Sequence, residues 1–408
     1  MKSNSHLTML TPLLVAAAAF ISSSFAADWP HDRGPDANDI SAETEWSSDW
    51  PADGPRIAWQ ADVGTGYSSV AVVGGRVFTM GNTNGQDVIF ALDAVTGKPV
   101  WTHNYACESA KQFPGTRASP TFDDGHLYTY SRSGDLFCLN ADDGKVLWSL
   151  NTVKEHVGVV AKFGLACHPL IVGDRLYIYA SGAAGLLCLD KKTGKKIWNH
   201  GPAPGKAGYA SPHRARVGGR DVIACFSDSV LWGLDAESGA LLWSVPWKAT
   251  HNICSASPLY VGDEVFVSTA YDVGCGKFSI EGDKATPLWR NKNLMTQFSN
   301  AILHDGHLFG ASGDNRKTGS LSCIDWDKGE VAWSEASAFG PLTMAGERLV
   351  IITWQGELIV AKASTKSYQE LARAKVVDGE CWTAPVLSGN RIYVRANGGT
   401  LVAVDVSL

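Results

Sequence analysis

Short apolar-rich runs separated by turn-forming residues repeat along nearly the whole chain. Residues 118–151 show the unit, with such runs at 118–122, 126–130, 136–139 and 145–149. Asp, Gly and Ser stand between the runs and favour tight turns. The runs are too short for helices, and several alternate apolar and polar positions. The pattern predicts a meander of four short antiparallel strands.

A motif, Leu-Asp-x-x-x-Gly-x-x-x-Trp, ends each unit and recurs at intervals of roughly 40–50 residues, which indicates one stacked supersecondary unit. The Asp can accept backbone N–H bonds in the third-to-fourth strand turn, and the Gly supplies the positive φ that ends it. The Trp is large enough to wedge between neighbouring sheets, so we interpret it as structural. Copies run from Leu92 to Trp101, Leu139 to Trp148 (with Asn140), Leu189 to Trp198, Leu234 to Trp243 and Ile324 to Trp333.

Counting the units gives an all-β fold, an eight-bladed β-propeller of four-stranded antiparallel blades. Fourth-strand anchors stand at Trp59, Trp101, Trp148, Trp198, Trp243, Trp289, Trp333 and, in degenerate form, near Leu371. First strands begin near Ser69, Ser119, His168, Ser211, Ser257, Asn300, Gly340 and Thr383.

The two ends of the chain are incomplete in complementary ways. Trp59 has no strands of its own before it, and the last copy has three strands and then ends. We expect the N-terminal strand to complete the last blade and close the ring over residues 55–408. Residues 27–54 are expected to form an irregular extension lying on the surface.

The first 26 residues are typical of a signal peptide. Lys2 precedes an apolar run at 9–21, and small residues at Ser24 and Ala26 predict cleavage after Ala26. The alternative is a buried N-terminal helix. Cleavage would place the mature chain in the periplasm or outside the cell. No Cys follows the small residues, so no lipid anchor is predicted.

Net charge bears on the class of partner, and the positions of the cysteines bear on packing and on disulfides. Removing residues 1–26 takes away one Lys and no acid, so the formal charge becomes 34 − 41 = −7. Without a basic run, this argues against a nucleic-acid partner. Of nine Cys, three occupy one small, buried slot of the repeat: Cys138, Cys188 and Cys323. Export permits disulfides, with the pairing open, among Cys107, Cys167, Cys254, Cys275 and Cys381.

The turns at 93–98 and 190–195, Asp-Ala-Val-Thr-Gly-Lys and Asp-Lys-Lys-Thr-Gly-Lys, resemble the pyrroloquinoline quinone (PQQ) repeat. The opening at 28–35 and the closing Cys381-Trp382-Thr383-Ala384-Pro385 are similar to exported, uncharacterised members of this family. The family also includes periplasmic quinoprotein dehydrogenases and the non-catalytic propeller of the outer-membrane β-barrel assembly machinery. The resemblance implies the propeller fold over nearly the whole mature chain.

The resemblance also implies tests of function. Quinoprotein alcohol dehydrogenases clamp PQQ under two adjacent Cys, hold Ca²⁺ with an acid and an amide near the axis, and use an Asp base. This chain has no adjacent Cys and no acid in register at the strand entrances. The assembly-machinery propeller is a lipoprotein, and the lipid-accepting Cys is missing here. We expect a binding or assembly scaffold of the cell envelope; the alternative is a dehydrogenase of alcohols or sugars that uses PQQ with Ca²⁺.

Residues just before the first strands should ring one mouth of the central channel. Arg suits bidentate carboxylate contacts, and Trp or Tyr suits stacking on a planar anion. The alternative is a water-filled mouth whose side chains bond one another. His168 and His213 do not stand at the sequence spacing of metal-binding histidine pairs, which favours structural roles for both. The candidates are Tyr67, Arg117, His168, Tyr209, His213, Cys254, Asn300 and Trp382.

The loops 107–116 and 153–164 form a second candidate surface, because they are longer than hairpins need. They mix charge and aromatic rings, as a protein-binding rim does. These residues are Lys111, Phe113, Lys154, His156 and Phe163.

Overall fold

A computed structural model of the chain describes residues 27–201, 208–297, 299–314 and 318–408. The predicted signal peptide lies outside the described residues. Nearly all regular structure in the described ranges is β-strand. The exceptions are a short helix α1, Thr152–His156, and the 3-10 turns Thr250–Asn252 and Ala336–Ala338. No helix in these ranges has the length and apolar character needed to cross a membrane.

Two strands precede the first blade, β1 (Ile40–Ser41) and β2 (Ile57–Asp62). Blade 1 is formed by β3 to β6, at Ala71–Val73, Arg76–Thr83, Gln86–Asp93 and Pro99–Ala106. Blade 2 is formed by β7 to β10, at Thr121–Asp123, His126–Tyr130, Asp135–Asn140 and Val146–Asn151. Blade 3 is formed by β11 to β14, at Leu170–Val172, Arg175–Ser181, Gly185–Asp190 and Lys196–His200. Blade 4 is formed by β15 to β18, at His213–Val217, Arg220–Phe226, Val230–Asp235 and Leu241–Pro246.

Blade 5 is formed by β19 to β22, at Leu259–Val261, Glu264–Thr269, Gly274–Glu281 and Lys284–Asn291. Blade 6 is formed by β23 to β26, at Ile302–His304, His307–Gly313, Gly319–Asp325 and Val331–Glu335. Blade 7 is formed by β27 to β30, at Leu342–Ala345, Arg348–Ile352, Glu357–Lys362 and Glu370–Lys375. Blade 8 contains β31 to β33, at Val386–Ser388, Arg391–Arg395 and Thr400–Asp405.

The N-terminal strand closes the ring, as the sequence predicts. Strand β2 pairs antiparallel with β33, with Trp59 opposite Ala403, so blade 8 has the order β2-β33-β32-β31. The eight-bladed propeller is therefore confirmed. Closure leaves no blade without a neighbour on either side, which protects the sheet edges at the two chain ends.

The recurring Trp and Gly residues join one blade to the next. Trp59 of blade 8 donates its indole N–H to the carbonyl of Ala94 in blade 1 at 2.9 Å. A Cβ atom on Gly97 would lie 2.5 Å from the Trp59 ring, and Gly97 has a φ of +69°. Only glycine satisfies both conditions. The same indole bond links Trp101 to Ala141, Trp148 to Lys191, Trp289 to Trp326 and Trp333 to Ser364.

The small slot of the repeat lies in the core between blades. Cys138, Cys188 and Cys323 are fully buried, each paired in register with an aromatic residue of the adjacent strand. All nine Cys are free and buried, so the disulfides that export permits do not form in this structure. Buried thiols of this kind pack as small apolar groups.

The expectation that the extension at 27–54 lies on the surface is wrong for its first part, where Trp29, Arg33, Asp39 and Ser41 are buried, whereas most of residues 42–54 are at least partly exposed. Strand β1 pairs in parallel with β27, the innermost strand of blade 7. Trp29 exchanges two backbone bonds with Val72 of blade 1, at 2.7 and 2.8 Å. The Ser41 hydroxyl donates to Leu387 of blade 8 at 2.8 Å. Contacts with so many innermost strands require a position on the axis, so residues 27–41, the axial segment, lie across the channel.

Candidate functional site

A cavity lies on the axis between the axial segment and the loops that enter the first strands. The centre of a water molecule can move through about 240 Å³ of it, which is many times the space that one water needs. Four residues of the axial segment line it: Trp29, Asp32, Arg33 and Asp39. The structure brings six of the sequence-predicted mouth residues together on its wall: Tyr67, Arg117, His168, Tyr209, Asn300 and Trp382.

Five aromatic rings follow one another around the mouth of the cavity, and we call them the aromatic collar: Tyr67, Trp382, Phe113, Phe163 and Tyr209. Successive ring centroids are 5.3, 5.5, 5.7 and 5.9 Å apart. These separations are those of favourable tilted and edge-on aromatic pairs. The two Phe come from the long loops, so both surfaces predicted from the sequence meet at one site.

Arg117 is held inside the collar by the loops that carry the two Phe. Its Nε donates to the Phe163 carbonyl at 2.9 Å, and its Nη2 donates to the Phe113 carbonyl. The guanidinium carbon lies 4.7 Å from the centre of the Tyr67 ring. Burial lowers the pKa of Arg117, and no carboxylate of the described residues forms an ion pair with it. The cavity wall therefore carries a positive charge without a counter-ion.

Residues at the strand entrances link neighbouring blades. The Ser119 amide donates to Nδ1 of His168 at 2.6 Å, and the His168 amide donates to the Ser211 hydroxyl at 2.9 Å. Between blades 5 and 6, the Ser257 amide donates to Oδ1 of Asn300 at 2.7 Å. His168 and Asn300 thus occupy a slot that Ser fills in other blades. In this part of the mouth, side chains accept backbone amides of the neighbouring blade.

Both ring nitrogens of His168 are engaged. Because the Ser119 amide donates to Nδ1, the proton of the neutral ring is on Nε2, which lies 3.3 Å from the Asp32 carboxylate. Asp32 belongs to the axial segment, so this contact also fixes the segment against blade 3. A ring held in this way has no free nitrogen to act as a general base.

The floor of the cavity contains a buried ion pair. Arg33 Nε contacts Asp39 at 2.8 Å, and the Asn300 amide donates to the same carboxylate at 3.2 Å. Burial raises the pKa of Asp39, and the Arg33 charge opposes that rise. Arg33 is 5 % exposed, and its Nη1 has no hydrogen-bond partner among the described residues. The axial segment therefore brings its own cation to the axis.

This donor set does not fit the Ca²⁺ ion that the resemblance implies. An acid and an amide, Asp39 and Asn300, do meet near the axis. However, Oδ1 of Asn300 already accepts the Ser257 amide, and the Asp39 charge is matched by Arg33. Across the described ranges, no three His, Cys, Asp or Glu side chains are grouped to hold a metal.

Two predicted mouth residues do not line the cavity. His213 starts β15 and stacks on Tyr260, with centroids 5.8 Å apart and planes at 8°. Burial lowers its pKa to about 3, helped by the charges of Arg33 and His31. Cys254 is buried, and its carbonyl accepts the amides of Tyr209 and Ala210, both at 2.8 Å. Its backbone thus positions Tyr209 of the collar.

The long loop at 153–164 also presents an apolar surface. Helix α1 begins after Asn151, whose side chain accepts the amides of Val153 and Lys154. It ends at His156, and the residue that caps it, Val157, has a left-handed φ of 59°. Val157, Val159 and Val160, the valine loop, are 66 %, 52 % and 44 % exposed. Lys154 and Lys162 flank them.

Comparison with known proteins places this chain in a family. The family described as outer membrane protein assembly factor BamB matches residues 89–335 and 317–407, most of the propeller. The chain belongs to the BamB family. BamB from Shewanella oneidensis is 23 % identical over 385 residues, covering 86 % of this chain and 89 % of that protein. The solved structure of BamB from Moraxella catarrhalis has a TM-score of 0.64 at 15 % identity, over 86 % of this chain and 99 % of that one.

Quinoproteins are also similar, over a shorter span. The quinoprotein alcohol dehydrogenase PedH from Pseudomonas putida is 27 % identical over 165 residues. The match covers 38 % of this chain and 26 % of PedH. The similarity to BamB proteins spans the ring, whereas the similarity to PedH spans less than half of it.

Proposed function

We propose that the protein is an exported, BamB-like scaffold that binds a protein partner in outer-membrane assembly, with the valine loop as the contact surface. The full-length similarity to BamB proteins supports the scaffold role, and the predicted signal peptide supports a periplasmic location. The observation that carries the proposal is the exposure of three apolar side chains within four residues. Clustered exposed apolar side chains on a rigid scaffold mark interaction surfaces.

The backbone of the valine loop supports the same proposal. Val157 is β-branched and has a positive φ, a combination that costs about 1–3 kcal/mol. Its side chain is 66 % exposed, so little packing within the chain offsets that cost. Contact with a partner would bury the side chain in the conformation that it already holds.

Charge around the loop indicates the chemistry of the partner. Lys111, Lys154 and Lys162 are exposed on the two long loops, and Glu108 and Glu155 are the exposed acids there. Glu155 is engaged with the Asn151 amide at 2.8 Å. A partner segment that combines apolar side chains with acidic ones complements this surface.

Replacing the valines tests the proposal. The variant Val157→Ser/Val159→Ser/Val160→Ser should recover about tenfold less of the outer-membrane assembly complex from cross-linked envelopes of the native cells. The matched control is Val95→Ser/Val100→Ser, which removes exposed valines from the outer edge of blade 1. Equal recovery by both variants and the native chain would refute the valine loop as the contact surface.

The axial cavity supports a second candidate function, the binding of a small planar anion. The supporting observation is an arginine without a counter-ion inside five aromatic rings. Arg can pair with a carboxylate, and the rings can stack on a flat ligand. The residues that would contact it are Tyr67, Arg117, His168, Tyr209, Asn300 and Trp382. His213 does not line the cavity, so it would not contact the ligand directly.

Calorimetry with PQQ as the probe, with and without Ca²⁺, tests this candidate. We expect binding without Ca²⁺, and a loss of about tenfold in affinity for Arg117→Gln, because one charge-assisted pair contributes about 1.4 kcal/mol or more. Reduction of a dye in the presence of alcohols or aldoses would show that the protein with bound PQQ is also a dehydrogenase. Absence of heat at millimolar PQQ would eliminate the candidate.

A further inference from the structure

The first described residue of the chain is anchored on both of its backbone groups. The Ala27 nitrogen lies 3.0 Å from Oε1 of Glu43, and the Ala27 carbonyl accepts the Ser388 hydroxyl at 2.7 Å. The same carboxylate oxygen accepts the Gly389 amide at 2.7 Å. Ala27 is therefore fixed at the turn between β31 and β32 of blade 8, the blade that closes the ring.

The Glu43 carboxylate has a place for a cation. Its two hydrogen-bond donors are backbone nitrogens, and no Lys or Arg side chain of the described residues forms an ion pair with it. A half-buried carboxylate that accepts two N–H bonds and lacks a positive partner is incompletely compensated. An ammonium group at the Ala27 position would supply the missing charge without moving any atom of the backbone.

We propose that processing between Ala26 and Ala27 creates that ammonium group, and that its pairing with Glu43 fixes the axial segment in the channel. Hydrolysis of the peptide bond by a signal peptidase consumes one water. It leaves a carboxylate on Ala26 and an amine on Ala27, which takes up a proton. The donor to Glu43 then changes from a neutral amide to an ammonium group, so the hydrogen bond becomes an ion pair as well.

Anchoring Ala27 also restrains the residues of the axial segment that follow it. Asp28 follows at once and accepts the Gly74 amide at 3.2 Å, and Trp29 then begins its paired contact with Val72. Thirteen residues downstream, β1 runs beside β27. The ammonium pair thus fixes the free end of a segment whose other end is held by strand pairing. Freeing this end would let the segment fray from Ala27 inward.

A double-mutant cycle tests the proposal. Four proteins are compared: the chain that begins at Ala27, the same chain with Gly-Ser added before Ala27, and the Glu43→Gln variant of each. We expect Glu43→Gln to lower the Tm by about 2 °C in the chain with the Ala27 ammonium, and by clearly less in the extended chain. Glu45→Gln, an exposed acid two residues away, is the matched control and should change neither.

A second measurement does not depend on stability. The α-amine of Ala27 should react with an acylating reagent about fivefold more slowly than the same amine in the Glu43→Gln variant. The N-terminus of the protein exported from its native cells, read by intact mass, should be Ala27. A different native N-terminus, or equal effects of Glu43→Gln with and without the extension, would overturn the proposal.

Discussion

At the scale of single residues, the contact between the Trp of one repeat and the Gly of the next explains why the repeat can be recognised in the sequence. The Gly needs a positive φ and has no room for a Cβ atom, and the Trp covers it from the preceding blade. Both requirements act locally and recur at fixed spacing, so the motif predicts the fold. The bonds of His168 and Asn300 cross between blades, over 40 residues apart in sequence. No local pattern encodes them.

Gly194→Ala should destabilise the fold by about 2–4 kcal/mol. About 1–2 kcal/mol comes from the positive φ and the rest from the clash with the Trp148 ring, which lies 2.8 Å from the added Cβ. Gly173→Ala is the matched control, because Gly173 also has a positive φ but nothing within 4 Å. Denaturant unfolding measures both. If the two variants lose the same free energy of unfolding, the Trp contact does not contribute.

His213 should make stability depend on pH. Its folded pKa is about 3 and its ordinary value is 6.5, so below pH 6.5 the unfolded chain takes up a proton that the folded ring refuses. The free energy of unfolding should therefore fall as the pH drops from 6.5 towards 3. His213→Phe keeps the stack on Tyr260, and should lose about 2 kcal/mol less between pH 7 and 4.5. Urea titrations at several pH values measure the free energy of unfolding of both proteins. The same dependence of that free energy on pH in both would contradict this prediction.

At the scale of elements, the strands follow the sequence prediction and the axial segment does not. The strands are marked by turns and by apolar runs, which depend on neighbours along the chain. Residues 27–41 have no period and carry Gly, Pro and Asp, a composition typical of exposed loops. Trp29, Arg33 and Asp39 are nevertheless buried, because a channel surrounds this segment and that channel exists only after eight blades have assembled. The cavity floor was unpredictable for the same reason.

One arginine of β32 joins the closing blade to blade 1. Arg395 is 2 % exposed and donates to the carbonyls of Ser68 and Gly64, both at 2.8 Å. Burial lowers its pKa to about 9. Arg395→Met should cost about 3 kcal/mol, because it leaves buried carbonyls without donors. Arg220→Met, which breaks an exposed pair with Asp235, should cost less than about 1 kcal/mol in the same unfolding assay.

At the scale of the whole molecule, stability depends on closing the ring. Deleting residues 55–63 removes β2, exposes the edge of β33 and uncovers Gly97. We expect the truncated chain to aggregate or to lose its cooperative melting transition. Deleting the exposed residues 407–408 is the control and should leave the transition unchanged. A monomeric truncated chain with the native Tm, measured by light scattering and calorimetry, would contradict the role of closure.

Trp46 of the extension has a consequence for how this protein is made. The register of blade 7 places Ala372, next to the predicted Leu371, where other blades have their anchoring Trp. Trp46 packs instead into the cluster shared by blades 7 and 8. The N-terminal part of the chain thus supplies a Trp to the contact between blades 7 and 8, where the repeat lacks one. It also supplies β2, which completes blade 8. A chain still emerging from the ribosome or the export channel cannot form either contact. Until its final residues arrive, the apolar surfaces that these two contacts cover stay exposed to solvent.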